Sequence, residues 1–183
     1  MLDKYRPIEL DPKIPKEEKK PLLTEWMRLL AQLLKGIKFD TKEFEELCEL
    51  YGHSLRDRTK ELFKKLSVKK VPVLVFSAGL GDMVESLLKH QDVFYDNIHV
   101  VSNFIQFNGN VMEGFKGSRE LLHVYNKNAS AIDEEYFEVL MDRTNILLMG
   151  DSLGDTDMAE GAKNVENLLK IGFLYHHVSD HEQ

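Results

Sequence analysis

The chain has 183 residues, enough for one domain or for one core with a small cap, with 43% hydrophobic residues and a mean hydropathy of −0.34. Its net charge of −7 argues against a polymeric nucleic-acid partner, which wants a basic surface, but leaves room for a small anion held by local dipoles or one lysine. No run approaches the roughly 18 apolar residues of a membrane span, the amino terminus lacks a signal peptide's apolar run, and the lone Cys48 fits a reducing compartment. The expected location is therefore the cytoplasm, with no membrane partner.

Residues 1–20 are charged and punctuated by Pro7, Pro12 and Pro15, which predicts an extended lead-in. From Pro21 to Lys35, PLLTEWMRLLAQLLK repeats apolar residues at helical spacing, and Gly36 is a natural stop. Asp40, with Glu43 three residues on, resembles a capping box that opens FEELCELY. On that helix Cys48 follows Phe44 by four residues, a core spacing. Ser54 is placed to cap a third helix, LRDRTKELFKKL.

The pattern then changes. VPVLVFS (71–77) is a short β-branched run and predicts a strand buried on both faces. GDMVESLLKH follows with helical periodicity, and IHVVSN (98–103) reads as the next strand. FIQFNGNVMEGF predicts a hairpin turning at Asn108-Gly109. IDEEYFEVLMD is a helix, NILLMG (145–150) a buried strand, TDMAEGAK a short helix and KIGFLY (170–175) a last strand. Strands alternating with helices predict an α/β fold, a parallel sheet with right-handed crossovers.

Ligands of open parallel sheets bind beyond the carboxyl ends of the strands, and two stretches stand out there. In FSAGLGD (76–82), Ser77 offers a hydroxyl, and Ala78 and Gly79 offer backbone N–H groups close to a helix amino terminus, a ready anion cradle. The plainer alternative is that Ser77 caps the helix. In GDSLGD, Asp151, Asp155 and Asp157 fall within seven residues. Two aspartates four apart among small residues suit Mg²⁺, which takes few carboxylates and keeps waters. An EF-hand is a poor competitor, because Ala162 stands where its last glutamate belongs. The alternative is one capping aspartate and solvated neighbours. Lys127 has no distinction from spacing alone, and His176-His177 reads as a solvated tail.

The order FSAG, lysine, GDSLGD resembles motifs II, III and IV of the haloacid dehalogenase phosphatases. VPVLVFSAGLGD, VVSNF, GFKG, HVYNK, GDSLGDTDMAEG and NVENLLKIGFL together resemble the cytosolic 5′-nucleotidase III family, which includes pyrimidine-preferring and 7-methylguanosine-phosphate-preferring enzymes. IELDP and TEW match its cap region. The resemblance implies a helical cap over residues 1–66 and a Rossmann-like parallel haloacid dehalogenase core over 67–183. It also implies hydrolysis of nucleoside 5′-monophosphates to nucleoside and phosphate, with Mg²⁺ and a phospho-aspartate intermediate.

Position by position, the resemblance makes Ser77, with the backbone of Ala78 and Gly79, the phosphate-holding motif. It makes Lys127 the cation that neutralises the phosphoryl oxygens, Asp151 a Mg²⁺ ligand, Asp155 its acidic support, and Glu9 a contact to the base. Two departures stand beside it. The family's motif I, a DFDMT-like segment with the nucleophile and the general acid, is not found, since the only Asp-x-Asp is Asp155-Thr-Asp157. The family's last strand and helix are likewise not found. A truncated enzyme with negligible activity of its own is expected. The alternatives are a non-catalytic nucleotide-binding pseudoenzyme or a related phosphatase such as one for phosphoserine. Met27 follows Trp26 where relatives carry a second aromatic, so the choice between pyrimidine and 7-methylguanine stays open, as does the oligomeric state.

Overall fold

A computed structural model describes residues 1–40, 42–52, 55–117 and 119–173. The chain divides into two compact units, Met1–His123 and Val124–Gln183.

The first unit opens with four helices: α1 (Leu2–Leu10), α2 (Lys16–Leu34), α3 (Lys42–Tyr51) and α4 (Thr59–Val68). The extended lead-in expected for residues 1–20 is therefore wrong. Pro7 lies inside α1, where it forgoes the backbone bond to residue 3. Tertiary contact overrides that cost. Tyr5 is buried and stacks on Trp26 of α2, with ring centroids 5.7 Å apart and planes 5° off parallel. Lys19 of α2, itself buried, donates from Nζ to the Glu9 carbonyl at 2.9 Å, satisfying a carbonyl that the helix end leaves open. Pro15, the residue before α2, has φ −58°, which the pyrrolidine ring sets in advance.

Asp40 Oδ1 accepts the Lys42 N–H at the start of α3, and Phe44 and Cys48 of that helix are buried as its spacing predicts. The proposed cap at Ser54 lies outside the described residues. Strand β1 (Val73–Leu80), helix α5 (Gly81–His90) and strand β2 (Ile98–Asn103) form a βαβ unit, with β1 and β2 parallel. Its core joins Leu88, Val93, Ile98 and Val100 to Phe63, Val73, Val75 and Val84. Burial is uneven. β2 is almost wholly buried, whereas β1 is half-buried, with Gly79 exposed, rather than closed on both faces. The hairpin β3 (Ile105–Asn108) and β4 (Val111–Phe115) turns where expected, with Gly109 at φ +62° and Ile105 and Met112 packed against Phe44.

In the second unit α6 spans Glu134–Leu140, and β5 (Asn145–Gly150) pairs in parallel with β6 (Asn167–Gly172), in register from Asn145↔Asn167 to Gly150↔Gly172. Three corrections arise here. TDMAEGAK is not a helix: a 3₁₀ turn covers Leu153–Asp157 instead, and Gly161 at φ +85° belongs to a turn. The last strand starts three residues earlier than predicted, and Leu174, Tyr175, His176 and His177 lie outside the described residues. NILLMG is a strand but not a buried one. Leu148 is 7% exposed, whereas Leu147 is 52% and Leu169 of β6 is 61% exposed.

Candidate functional site

In the first unit the relevant turn sits at the carboxyl end of β1. Phe76 pairs with Val101 and Leu80 with Asn103, so four steps along β1 answer two along β2. Ser77, Ala78 and Gly79 are thus a bulge, a device that re-aims the chain at sheet ends and next to sites. Ser77 Oγ accepts the Gly79 N–H at 3.1 Å, which leaves the hydroxyl hydrogen to donate elsewhere.

Ser77 does not cap α5. The residue before that helix is Leu80, with no side-chain cap. Asp82 in the first turn uses Oδ2 to take the Ile105 N–H at 2.8 Å. Gly81 is required by packing: a Cβ there would stand 2.7 Å from the Phe104 ring. A hydroxyl donor beside a helix amino terminus can hold an anion.

In the second unit the chemistry gathers behind β5. Lys127 Nζ donates to Asp155 Oδ1, and the two side chains are only 10% and 7% exposed. Asp155 Oδ2 accepts the backbone N–H of Asp151 and of Ser152, each at 3.1 Å. Ser152 and Asp155 also form a reciprocal capping box at the 3₁₀ turn. The capping alternative for the aspartates is thus part of the truth for Asp155, which caps and pairs with a cation at once. Burial pushes its carboxyl pKa up, but the hydrogen bond and charge of Lys127, with the Ser152 bonds, outweigh it and hold the group below the usual value. Asp151 is exposed at the end of β5.

Both glycines of GDSLGD serve this closure. A Cβ on Gly150 would collide with the Asp155 side chain, and one on Gly154 with the Val124 backbone and side chain. Val124 precedes Lys127 by three residues, so Gly154 lets the lysine loop approach. The Ala129 N–H also donates to the Glu160 carbonyl at 3.0 Å, tying the two loops a second time. Among the described residues no three His, Cys, Asp or Glu side chains form a ready metal cage.

Glu9 lies on α1, its carboxylate 2.7 Å from Arg6 Nη1, and Met27 neighbours the stacked Trp26 on α2. Sequence reasoning passed over Tyr5, Ser102, Asn103 and His123. Ser102 and Asn103 are buried polar residues ending a strand, and a polar pair closing the apolar run IHVV was the available signal. His123 is also buried, with Nε2 3.1 Å from Thr24 Oγ1 of α2.

The profile of the family described as pyrimidine 5′-nucleotidase (UMPH-1) matches residues 1–183. A 7-methylguanosine phosphate-specific 5′-nucleotidase of Drosophila melanogaster is 44% identical over 177 residues, covering 96% of this chain and 55% of its own. The enzyme of that name from Homo sapiens is 40% identical over 185 residues, covering 100% of this chain and 61% of its own. A crystal structure of cytosolic 5′-nucleotidase IIIB bound to cytidine aligns with a TM-score of 0.91 at 42% identity, over 98% of this chain and 60% of that one. The chain spans 55% and 61% of the length of these two curated relatives.

Proposed function

This chain belongs to the pyrimidine 5′-nucleotidase (UMPH-1) family, and we propose that it carries the phosphate-handling part of a Mg²⁺-dependent 5′-nucleotidase acting on nucleoside 5′-monophosphates. Its relatives are 5′-nucleotidases, and its fold is that of their haloacid dehalogenase-type core. The observation that carries the proposal is the buried Lys127–Asp155 pair behind β5. A lysine held this way costs desolvation, and a phosphate-neutralising role accounts for it.

Phosphoryl transfer is mostly positioning and charge neutralisation. On this reading the Ser77 hydroxyl and the amides of Ala78 and Gly79 hold the phosphate, and Lys127 neutralises its oxygens. Glu9 contacts the base. Asp155 holds the Lys127 ammonium in place and fixes the amides of the Asp151 loop. The donor set fits Mg²⁺: one exposed carboxylate, Asp151, on a loop pinned by Asp155 suits an ion that takes one or two carboxylates and keeps its waters. Bound there, the cation supplies charge stabilisation to the phosphoryl oxygens. Residues 1–183 contain no Asp-x-Asp-x-Thr segment. The hydrolytic step through a phospho-aspartate is therefore proposed only for a polypeptide that also carries one. The word "cytosolic" in relatives' names, together with the lack of a described helix long and apolar enough to cross a membrane, supports a cytosolic setting.

Phosphate release from CMP, UMP and 7-methyl-GMP, with the family's amino-terminal Asp-x-Asp-x-Thr segment fused to the chain, tests the proposal. Turnover that needs Mg²⁺ and is lost in Lys127→Met supports it. Turnover of phosphoserine but of no nucleotide would replace it with the related-phosphatase reading.

A further inference from the structure

The carbonyls of the Ser77–Gly79 bulge leave the β1–β2 ladder, and β2 side chains take them up. Ser102 Oγ donates to the Gly79 carbonyl at 3.0 Å. Asn103 Nδ2 donates to the Ala78 carbonyl at 3.0 Å. Both side chains are buried, at 2% and 4% exposure.

Each is anchored from behind. Asn103 closes a two-bond clamp on Leu122, with Nδ2 donating to its carbonyl at 3.0 Å and Oδ1 accepting its N–H at 2.8 Å. Arg119 Nη2 donates to the Ser102 carbonyl at 3.1 Å. The clamp fixes the amide orientation, because only one assignment of Oδ1 and Nδ2 satisfies all three bonds. Asparagine also fits by elimination. Aspartate would face two carbonyls with an acceptor, and leucine would leave buried backbone groups unsatisfied.

A trans peptide points its carbonyl and its N–H in opposite directions. Drawing the Ala78 carbonyl toward Asn103 therefore turns the Gly79 N–H away from β2, where it meets Ser77 Oγ. We propose that Ser102 and Asn103 are positioning residues for anion binding, holding the Gly79 and Ala78 carbonyls against β2 so that the Gly79 N–H stays on Ser77 Oγ and the Ser77 hydroxyl hydrogen is set for a phosphate. This rests on the reading of Ser77–Gly79 as the phosphate-holding turn. It adds a second layer to that turn: the direction of its donors is set by β2, not by α5.

Calorimetric titration of the full chain with inorganic phosphate, beside amide exchange at Gly79 and Leu80 by NMR, tests it. The variants are Ser77→Ala, Ser102→Ala and Asn103→Asp, with Val100→Ala as a β2 control that destabilises without touching the turn. Ser102→Ala is expected to weaken phosphate binding about five- to tenfold, the worth of one positioned hydrogen bond, and to speed exchange selectively at Leu80, whose N–H shares a peptide with the carbonyl that Ser102 holds. Asn103→Asp weakens binding at least as much and speeds exchange at Gly79, whose N–H shares a peptide with the Ala78 carbonyl, and Val100→Ala does neither. If Asn103→Asp does not fold, Ser102→Ala carries the test. Wild-type affinity and Leu80 exchange in Ser102→Ala, with weakened binding in Ser77→Ala, would overturn the positioning role and leave the phosphate-holding turn standing. Wild-type affinity in Ser77→Ala as well would overturn both.

Discussion

Lys127 and Asp155 lie 28 positions apart and meet as a buried ion pair, the second oxygen of Asp155 fixing two amides of the loop after β5. Removing the cation leaves a buried carboxylate with its desolvation uncompensated. Lys127→Met is expected to cost about 3 kcal/mol of stability, measured by urea unfolding at pH 7. The double variant with Asp155→Asn should recover part of that loss.

The same pair sets an acid limit. The Asp155 pKa is lowered on folding, so in the folded state the group binds fewer protons than in the unfolded chain. Its contribution is complete above the unfolded value near 3.8 and is lost as pH falls through the lower folded value. Asp155→Asn should flatten the stability profile below about pH 4 and leave its shape above that unchanged.

His123 acts in a different window. Burial is the main cause that lowers its pKa to about 4, with Lys20 in the same direction and Glu120 opposing. The unfolded histidine takes up a proton near pH 6.5 while the folded one stays neutral. Stability should therefore fall between pH 6.5 and 4, by up to about 3 kcal/mol. His123→Phe should lose that slope while also losing the bond to Thr24. A slope equal to wild type would place the acid sensitivity elsewhere.

Gly154 offers a steric test. Gly154→Ala places a Cβ against Val124 and should push the lysine loop off the GDSLGD loop. The expected result is loss of both Ala129 protection in hydrogen exchange, where its N–H meets the Glu160 carbonyl, and Mg²⁺-assisted phosphate binding. Gly109→Ala makes a useful contrast. It strains a turn at φ +62° with nothing within 4 Å, and should cost about 1 kcal/mol without touching phosphate binding.

The β5–β6 sheet exposes Leu147, Met149, Leu168, Leu169 and Ile171, and exposed apolar strands invite pairing with other chains. A polypeptide of residues 1–183 should associate in a concentration-dependent way by light scattering. Leu169→Lys, at 61% exposure, should reduce that association.

The strands were legible because β-branched runs and the Asn108-Gly109 turn are local signals, and β2 and β5 match their predicted limits to the residue. Helix α1 was not, because a proline-bearing segment is helical here through Tyr5 packing on Trp26, a contact that spacing cannot report. Lys127 was legible only through its motif. Its pairing with Asp155 depends on the close approach of two loops that Gly150 and Gly154 allow. Ser102 and Asn103 escaped for the same reason: the carbonyls they hold in the turn, Gly79 and Ala78, are more than twenty residues away.

The proposed role of Lys127 is to recognise the phosphate of a nucleoside monophosphate. Paired calorimetric titrations with CMP and with cytidine, in Mg²⁺, test it most directly. CMP should bind more tightly than cytidine, and that advantage should disappear in a folded Lys127→Met variant while cytidine binding stays the same. Equal affinity for CMP and cytidine in the wild type, or an advantage that survives in Lys127→Met, would contradict the account.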